Sequence, residues 1–193
     1  MVDEDALIAA AQEGNLDAFN DLVLSAQHSV YNVAYRITGE PATAADATSR
    51  AFMSAFRDID RLGGDSFKSY LMCILTQGCR ELLCQAEGRL QETLPDTRDP
   101  GGRLDPASSG ATAEPQKRSQ RQRLADVIQR GIMTLAWEER ITLVLSDVQG
   151  LGYDEIAEAM GVTRGTVRRR LARARGRLRD YLREYAGCFQ APR

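Results

Sequence analysis

With 193 residues the chain has room for two small domains, each with its own core. Its 43% hydrophobic and 27% charged residues are the balance of an ordinary globular protein, and no apolar run approaches the ~20 residues of a membrane span. The acidic start Met1-Val-Asp-Glu-Asp5 lacks the basic opening of a secretory signal, so the expected location is the cytoplasm.

In chain order, Asp3 to Glu13 carries Leu7, Ile8 and Ala11 on one face and reads as a short helix broken at Gly14-Asn15. A second helix is expected from Leu16 to about Thr38, with Phe19, Leu22, Val23, Ala26, Val30, Val33, Ala34 and Ile37 at helical spacing. Gly39-Glu-Pro41 stops it. The third, from about Ala42 to Ile59, is expected to bury Ala47, Ala51, Phe52, Ala55, Phe56 and Ile59. Arg61 to Asp65 is a loop, and Ser66 can cap a fourth helix running from Phe67 to about Glu87. Nothing alternates with period two, so the fold class is all-α.

Residues 89–118 differ in kind. Pro95, Pro100, Pro106 and Pro115, with Gly101-Gly102 and Ser108-Ser109-Gly110, leave little to bury, and a flexible tether is expected that lets two domains, 1–88 and 119–187, move independently. Helix returns near Ser119 with Leu124, Val127, Ile128 and Ile132 inward, and another runs from Trp137 to Gly150. Residues 188–193 read as a frayed tail. Charge divides along the same lines. Residues 1–88 hold 6 basic and 13 acidic side chains, residues 89–118 hold 5 of each, and residues 119–193 hold 14 and 9. An acidic front and a basic back suggest different partners.

The stretch from Tyr153 to Arg168 organises the back half. Ile156, Ala157 and Met160 share a helix face, Gly161 suits a left-handed helix end, and Thr163 is a natural N-cap for the next helix. Val167, Leu171, Ala174, Leu178 and Leu182 then form a buried stripe. Two helices about a glycine turn read as a helix-turn-helix. The second carries nine arginines (164, 168, 169, 170, 173, 175, 177, 179 and 183) against only Asp180 and Glu184. A solvated face mixes signs; this one does not, and the planar guanidinium fork fits phosphates and guanine edges. The candidate DNA-reading set is Thr163, Arg164, Gly165, Thr166, Arg168, Arg169 and Arg173, with Arg175, Arg177 and Arg179 serving phosphates or solubility.

Cys73, Cys79, Cys84 and Cys188 form no CxxC pair and lie near no histidine, so neither a metal site nor a cofactor is expected. His28 stands alone. No paired carboxylates, Ser/His/Asp set or phosphate loop appears, which argues against an enzyme.

The run Leu135 to Arg175, with Gly165-Thr-Val-Arg-Arg-Arg-Leu-Ala-Arg-Ala-Arg175 at its end, joined by a Pro/Gly linker to a four-helix front, resembles the extracytoplasmic-function (ECF) sigma factors of bacterial RNA polymerase. The resemblance implies a four-helix sigma domain 2 and a helix-turn-helix sigma domain 4. It also implies binding to the clamp helices of the polymerase core and to promoter DNA, domain 4 reading the minus-thirty-five element. Arg61, Lys68 and Tyr70 would then engage the minus-ten element, the Arg61–Asp65 loop pocketing a base flipped from the melted strand. Asp46, Ser49, Phe52 and Phe56 would meet the core. The linker would thread toward the polymerase active-site channel, and an anti-sigma protein is a further possible partner.

The front half departs from the family's chemistry. The acidic cluster of the third helix falls on Thr43-Ala-Ala-Asp46, the Gln-Glu pair on Ser49-Arg50, and only Asp46 keeps its charge. On the fourth helix, basic positions become Cys73, Thr76 and Cys84, which implies weaker phosphate attraction. Two expectations follow. Phosphorylation of Thr43, Thr48 or Ser49 by a Ser/Thr kinase would restore negative charge toward the polymerase, against the simpler reading of Thr43 as a helix-start residue. The alternative function is a DNA-binding regulator of this architecture with weakened or switchable core binding.

Overall fold

The computed structural model describes residues 4–62, 67–92 and 115–185, and their side chains except in 84–92 and 115–121. No strand occurs among the described residues. Four helices form the front half: α1 (Glu4–Gln12), α2 (Leu16–Thr38), α3 (Pro41–Arg57) and α4 (Phe67–Glu92), with a 3-10 turn at Ile59–Arg61. The back half is α5 (Pro115–Met133), α6 (Trp137–Leu143), α7 (Tyr153–Met160) and α8 (Arg164–Tyr185). A π-helical turn, Val144–Val148, continues α6.

Local chemistry sets the ends. Asn15 caps α2, its side-chain oxygen accepting from the amides of Asp17 and Ala18 at 3.0 and 3.2 Å. Gly39 closes α2 at φ +76°, its amide bonded to the Tyr35 carbonyl. Pro41 opens α3 and Pro115 opens α5, positions where a missing N–H costs nothing. Helix α4 thus passes the expected end at Glu87, and α5 starts before Ser119. Of the expected tether, 93–114 lies outside the described residues, as do the Ser66 cap and the tail.

The front core forms where α2, α3 and α4 meet, around Leu22, Val30, Val33, Phe67, Leu71 and Leu75, each 1% exposed or less. Burying each such side chain contributes about 1.5–3 kcal/mol. Two expected core residues differ. Phe56 is 47% exposed although its ring packs edge-on to Phe19 with centroids 5.0 Å apart, and Leu124 is also exposed. Phe52 is only half-buried. Helical periodicity names a face, and the outer edge of that face stays in solvent.

The expectation of two independently moving halves meets a packed pair. Helix α2 lies against α5, α6 and the π turn, and α4 lies against α6 and α7. The buried Arg140 spans the junction. Its Nη1 donates to the Ile37 carbonyl at 2.9 Å, and its Nη2 donates to the Met133 and Leu135 carbonyls at 3.0 and 3.1 Å. Gln129 reaches the Tyr35 and Arg36 carbonyls at 3.3 and 3.4 Å. The exposed carbonyl end of α2 is therefore capped by the other half of the chain. At Gly39 a Cβ would sit 2.7 Å from Met133 Cε and Sδ, so no larger residue fits this contact without displacing the methionine.

Arg140→Met keeps much of the volume and strands three carbonyls. We expect it to lower stability by about 2–4 kcal/mol, read from the midpoint of urea unfolding. Burial pushes the Cys79 thiol up to about 12. Cys79 should therefore resist alkylation at pH 8 in the folded chain and react only once urea unfolds it.

Candidate nucleic-acid and polymerase interfaces

Gly161 ends α7 at φ +62°, as its place in the sequence requires. Thr163 then accepts the Thr166 amide at 3.3 Å, and its hydroxyl lies 3.0 Å from that of Thr166. The Arg169 guanidinium donates to the same Thr166 hydroxyl at 3.4 Å. Beneath this polar turn, Val167, Leu171 and Ala174 are buried, fixing which way the arginines point.

Those arginines fall into two groups. Arg164 pairs with Asp154 at 3.2 Å, Arg175 with Asp147 at 2.5 Å, and Arg177 with Glu139 at 2.8 Å; Arg170 lies 3.9 Å from Glu138, and Arg179 and Arg183 lie 3.9 and 3.7 Å from Asp180 on α8 itself. The bond to Asp147 holds the Arg175 guanidinium above its usual range. By contrast, Arg168 and Arg173 are exposed and have no hydrogen-bond or ion-pair partner among the described residues. Arg168, Arg169 and Arg173 are thus the α8 arginines that no acid among the described residues engages, Arg169 bonding only to the Thr166 hydroxyl. The acids on α6 and the π turn that bind Arg170, Arg175 and Arg177 are not singled out in the sequence; their signal is Glu138-Glu139 and Asp147 preceding a helix with almost no acids of its own.

Gly165 sits in the first turn of α8, where glycine costs a helix about 1 kcal/mol. A Cβ there would meet nothing closer than Thr163 Oγ1 at 3.9 Å, so the fold does not demand glycine.

On the front half, Asp46 and Arg50 bond to each other at 2.9 Å on exposed α3. Thr43 donates to the Glu40 carboxylate at 2.5 Å, and Thr48 donates to the Ala44 carbonyl at 2.7 Å. Ser49 is exposed. An open groove of about 450 Å³ between α2 and α3 is lined by Val23, His28, Tyr31, Ser49 and Phe52 among others. Met53 and Phe56 stand exposed on α3. Lys68 is exposed, and Arg61 is exposed and 3.7 Å from Asp58. The Tyr70 hydroxyl donates to the Asp58 carbonyl at 3.0 Å, and partial burial raises its pKa, with Asp58 adding to the effect. The loop beyond Leu62, where a flipped base was expected to sit, lies outside the described residues.

A four-helix domain with an open groove, packed on a helix-turn-helix domain whose Arg168 and Arg173 have no partner among the described residues, defines a two-part helical transcription factor. Residues 22–88 match the family model for Sigma-70 region 2, and residues 125–178 match that for Sigma-70, region 4. The ECF RNA polymerase sigma factor SigE of Mycolicibacterium smegmatis is 31% identical over 179 residues, covering 92% of this chain and 66% of that protein. The ECF RNA polymerase sigma-E factor of Escherichia coli K12 is 31% identical over 182 residues, covering 89% of this chain and 90% of that protein. In fold the chain is similar to the sigma factor RpoE, solved with the anti-sigma factor NepR from Bartonella quintana (TM-score 0.65, 20% identity, 87% of this chain and 98% of that one). It is equally similar to CnrH, solved with the cytosolic domain of CnrY (TM-score 0.65, 20% identity, 94% and 97%). The chain belongs to the ECF sigma factors, which direct RNA polymerase to promoters. Among the described residues no helix is long and apolar enough to cross a membrane.

The ion pairs make a stability claim that is separate from DNA binding. Arg177→Ala leaves the buried Glu139 without its cation and should lower stability by about 1 kcal/mol in urea unfolding. Its affinity for promoter DNA should stay within about twofold of the parent.

Proposed function

We propose that the chain is a non-catalytic, cytoplasmic promoter-specificity subunit whose α8 reads the minus-thirty-five element with its N-terminal turns. The observation carrying this is the division of the arginines. Six are bound to acids of their own domain, whereas Arg168, Arg169 and Arg173 are exposed and unbound to any acid among the described residues. Thr163, Arg164 and Thr166 line the same turn, and Gly165 lets the DNA backbone come close. Arg61, Lys68 and Tyr70 serve the minus-ten element, with the Tyr70 hydroxyl held internally and only its ring available for stacking.

Core binding falls to the α2–α3 groove with Phe52 and Phe56, supported by Asp46 and Ser49. A second reading, a DNA-binding regulator with weakened core affinity, draws support from the Asp46–Arg50 pair, which neutralises the one acid left on that face. Phosphorylation fits Ser49 best. A phosphate on Thr43 would meet the Glu40 carboxylate, and Thr48 already bonds within its helix. The two similar folds were solved with anti-sigma factor NepR and with CnrY, and an anti-sigma protein is proposed as a partner here.

Pull-down of core polymerase and footprinting of the resulting holoenzyme on promoter DNA test these roles. Arg168→Ala or Arg169→Ala should weaken binding to the minus-thirty-five element by about 1–3 kcal/mol. Gly165→Ala should stabilise the fold by about 0.5–1 kcal/mol and yet weaken DNA binding. Core that does not co-purify with unmodified protein or with Ser49→Glu would favour the regulator.

A further inference from the structure

A threonine inside a helix commonly turns its hydroxyl back onto the carbonyl four residues earlier. Thr38, Thr48 and Thr142 do so, at 2.9, 2.7 and 2.6 Å from the Ala34, Ala44 and Glu138 carbonyls. Thr76 on α4 does not. It is 2% exposed, and its hydroxyl has no hydrogen-bond partner among the described residues. Buried hydroxyls are rarely left unmet, so this one calls for a partner from outside the chain.

Thr76 lines a cavity of about 80 Å³ between α4, α6, α7 and α8. Gln77, Arg80, Trp137 and Arg170 are its other polar walls, with Met160 among the apolar ones, and no acid lines it. Arg80 is exposed and has no partner among the described residues. The Arg170 side chain is only 23% exposed, and its ion pair with Glu138 is stretched to 3.9 Å. Two cations thus border one small space that supplies no compensating charge.

The chemistry of the walls selects the ligand. Guanidinium groups and an indole N–H only donate hydrogen bonds, and a hydroxyl and an amide can donate as well. An acceptor-only anion meets all of them, and placed between two arginines it is attracted by both. A water needs about 15 Å³ of such a space, so the cavity replaces roughly five. That is room for a tetrahedral oxyanion and too little for a sugar or a base.

We propose that this cavity binds a single tetrahedral oxyanion of the phosphate class, held by Arg80 and Arg170, with the Thr76 hydroxyl donating to one of its oxygens. The site goes beyond the promoter-reading role and does not depend on it, since none of the three residues belongs to the DNA-reading or core-binding sets. Free phosphate and the terminal phosphoryl group of a small ester offer the same chemistry, the ester's carbon atoms leaving past the exposed Gln77 and Arg80.

The test is calorimetric titration of the full chain with inorganic phosphate at an ionic strength held constant with sodium chloride, with the thermal midpoint followed in parallel. Saturable binding of one phosphate per chain is expected, together with a rise in the midpoint. The α8 arginines also attract phosphate, so the deciding variant leaves charge untouched. Thr76→Val keeps the side chain's shape and removes the hydroxyl. It should weaken phosphate binding by about tenfold, the worth of a hydrogen bond to a charged group, while its midpoint in chloride stays at or above the parent's. Arg80→Gln, at an exposed position that the fold does not need, should weaken binding to a similar degree. Glycerol 3-phosphate binding as tightly as phosphate makes an ester the source, and its failure to bind limits the site to the free anion. An absence of saturable binding beyond chloride overturns the site. So does binding that Thr76→Val and Arg80→Gln both leave unchanged, which would mean an adventitious ion only.

Discussion

One guanidinium holds the architecture together. Arg140 is buried, and burying a cation costs least when hydrogen bonds answer its charge. Here it meets the carbonyls of Met133 and Leu135, where α5 ends, and that of Ile37, where α2 ends. Both helix ends present partial negative charge, so the arginine answers two dipoles at once. The turn between α5 and α6 is fixed by the same side chain that fixes one half of the molecule on the other. Gln129, one helix away, repeats the device on the neighbouring carbonyls of α2.

From that frame the recognition helix acquires its selectivity among like charges. Nine arginines on one helix would repel each other and point nowhere in particular. The acids of α6, the π turn and α7 draw Arg177, Arg175 and Arg164 onto the protein, while Arg168 and Arg173 have no partner among the described residues. The π turn contributes directly, carrying Asp147 toward α8 and leading into Gln149, which faces α2. A regular continuation of α6 would rotate these residues by the equivalent of one position, about 100°.

Much of this was legible in the sequence, and the unread part has a common cause. Helix positions, the Gly39 and Gly161 stops and the Thr163 cap follow from short-range rules, and the structure keeps them. The helix-turn-helix and the arginine-rich face were also visible, because both are periodic. What periodicity cannot give is the partner of a side chain far along the chain. Arg140 lies 103 residues from Ile37 and Gln149 lies 120 from Ser29. Phe56 was placed in the core because its spacing fits, yet only the position of α2 and α4 decides that its outer face stays wet.

The same long-range view gives a physical account of the front half's departures. Cys73 and Thr76 occupy α4 positions where the resembled family carries cations, and in the sequence this looked only like lost affinity for phosphate. In the structure Thr76 lies under α7, next to Arg80 and Arg170. An arginine or lysine at that place would be a third cation in a small cavity closed by Trp137 and Met160, with no acid among the residues lining it. Desolvation and like-charge repulsion would each oppose closure. A neutral residue at 76 therefore permits the two halves to pack, through a single side chain on α4.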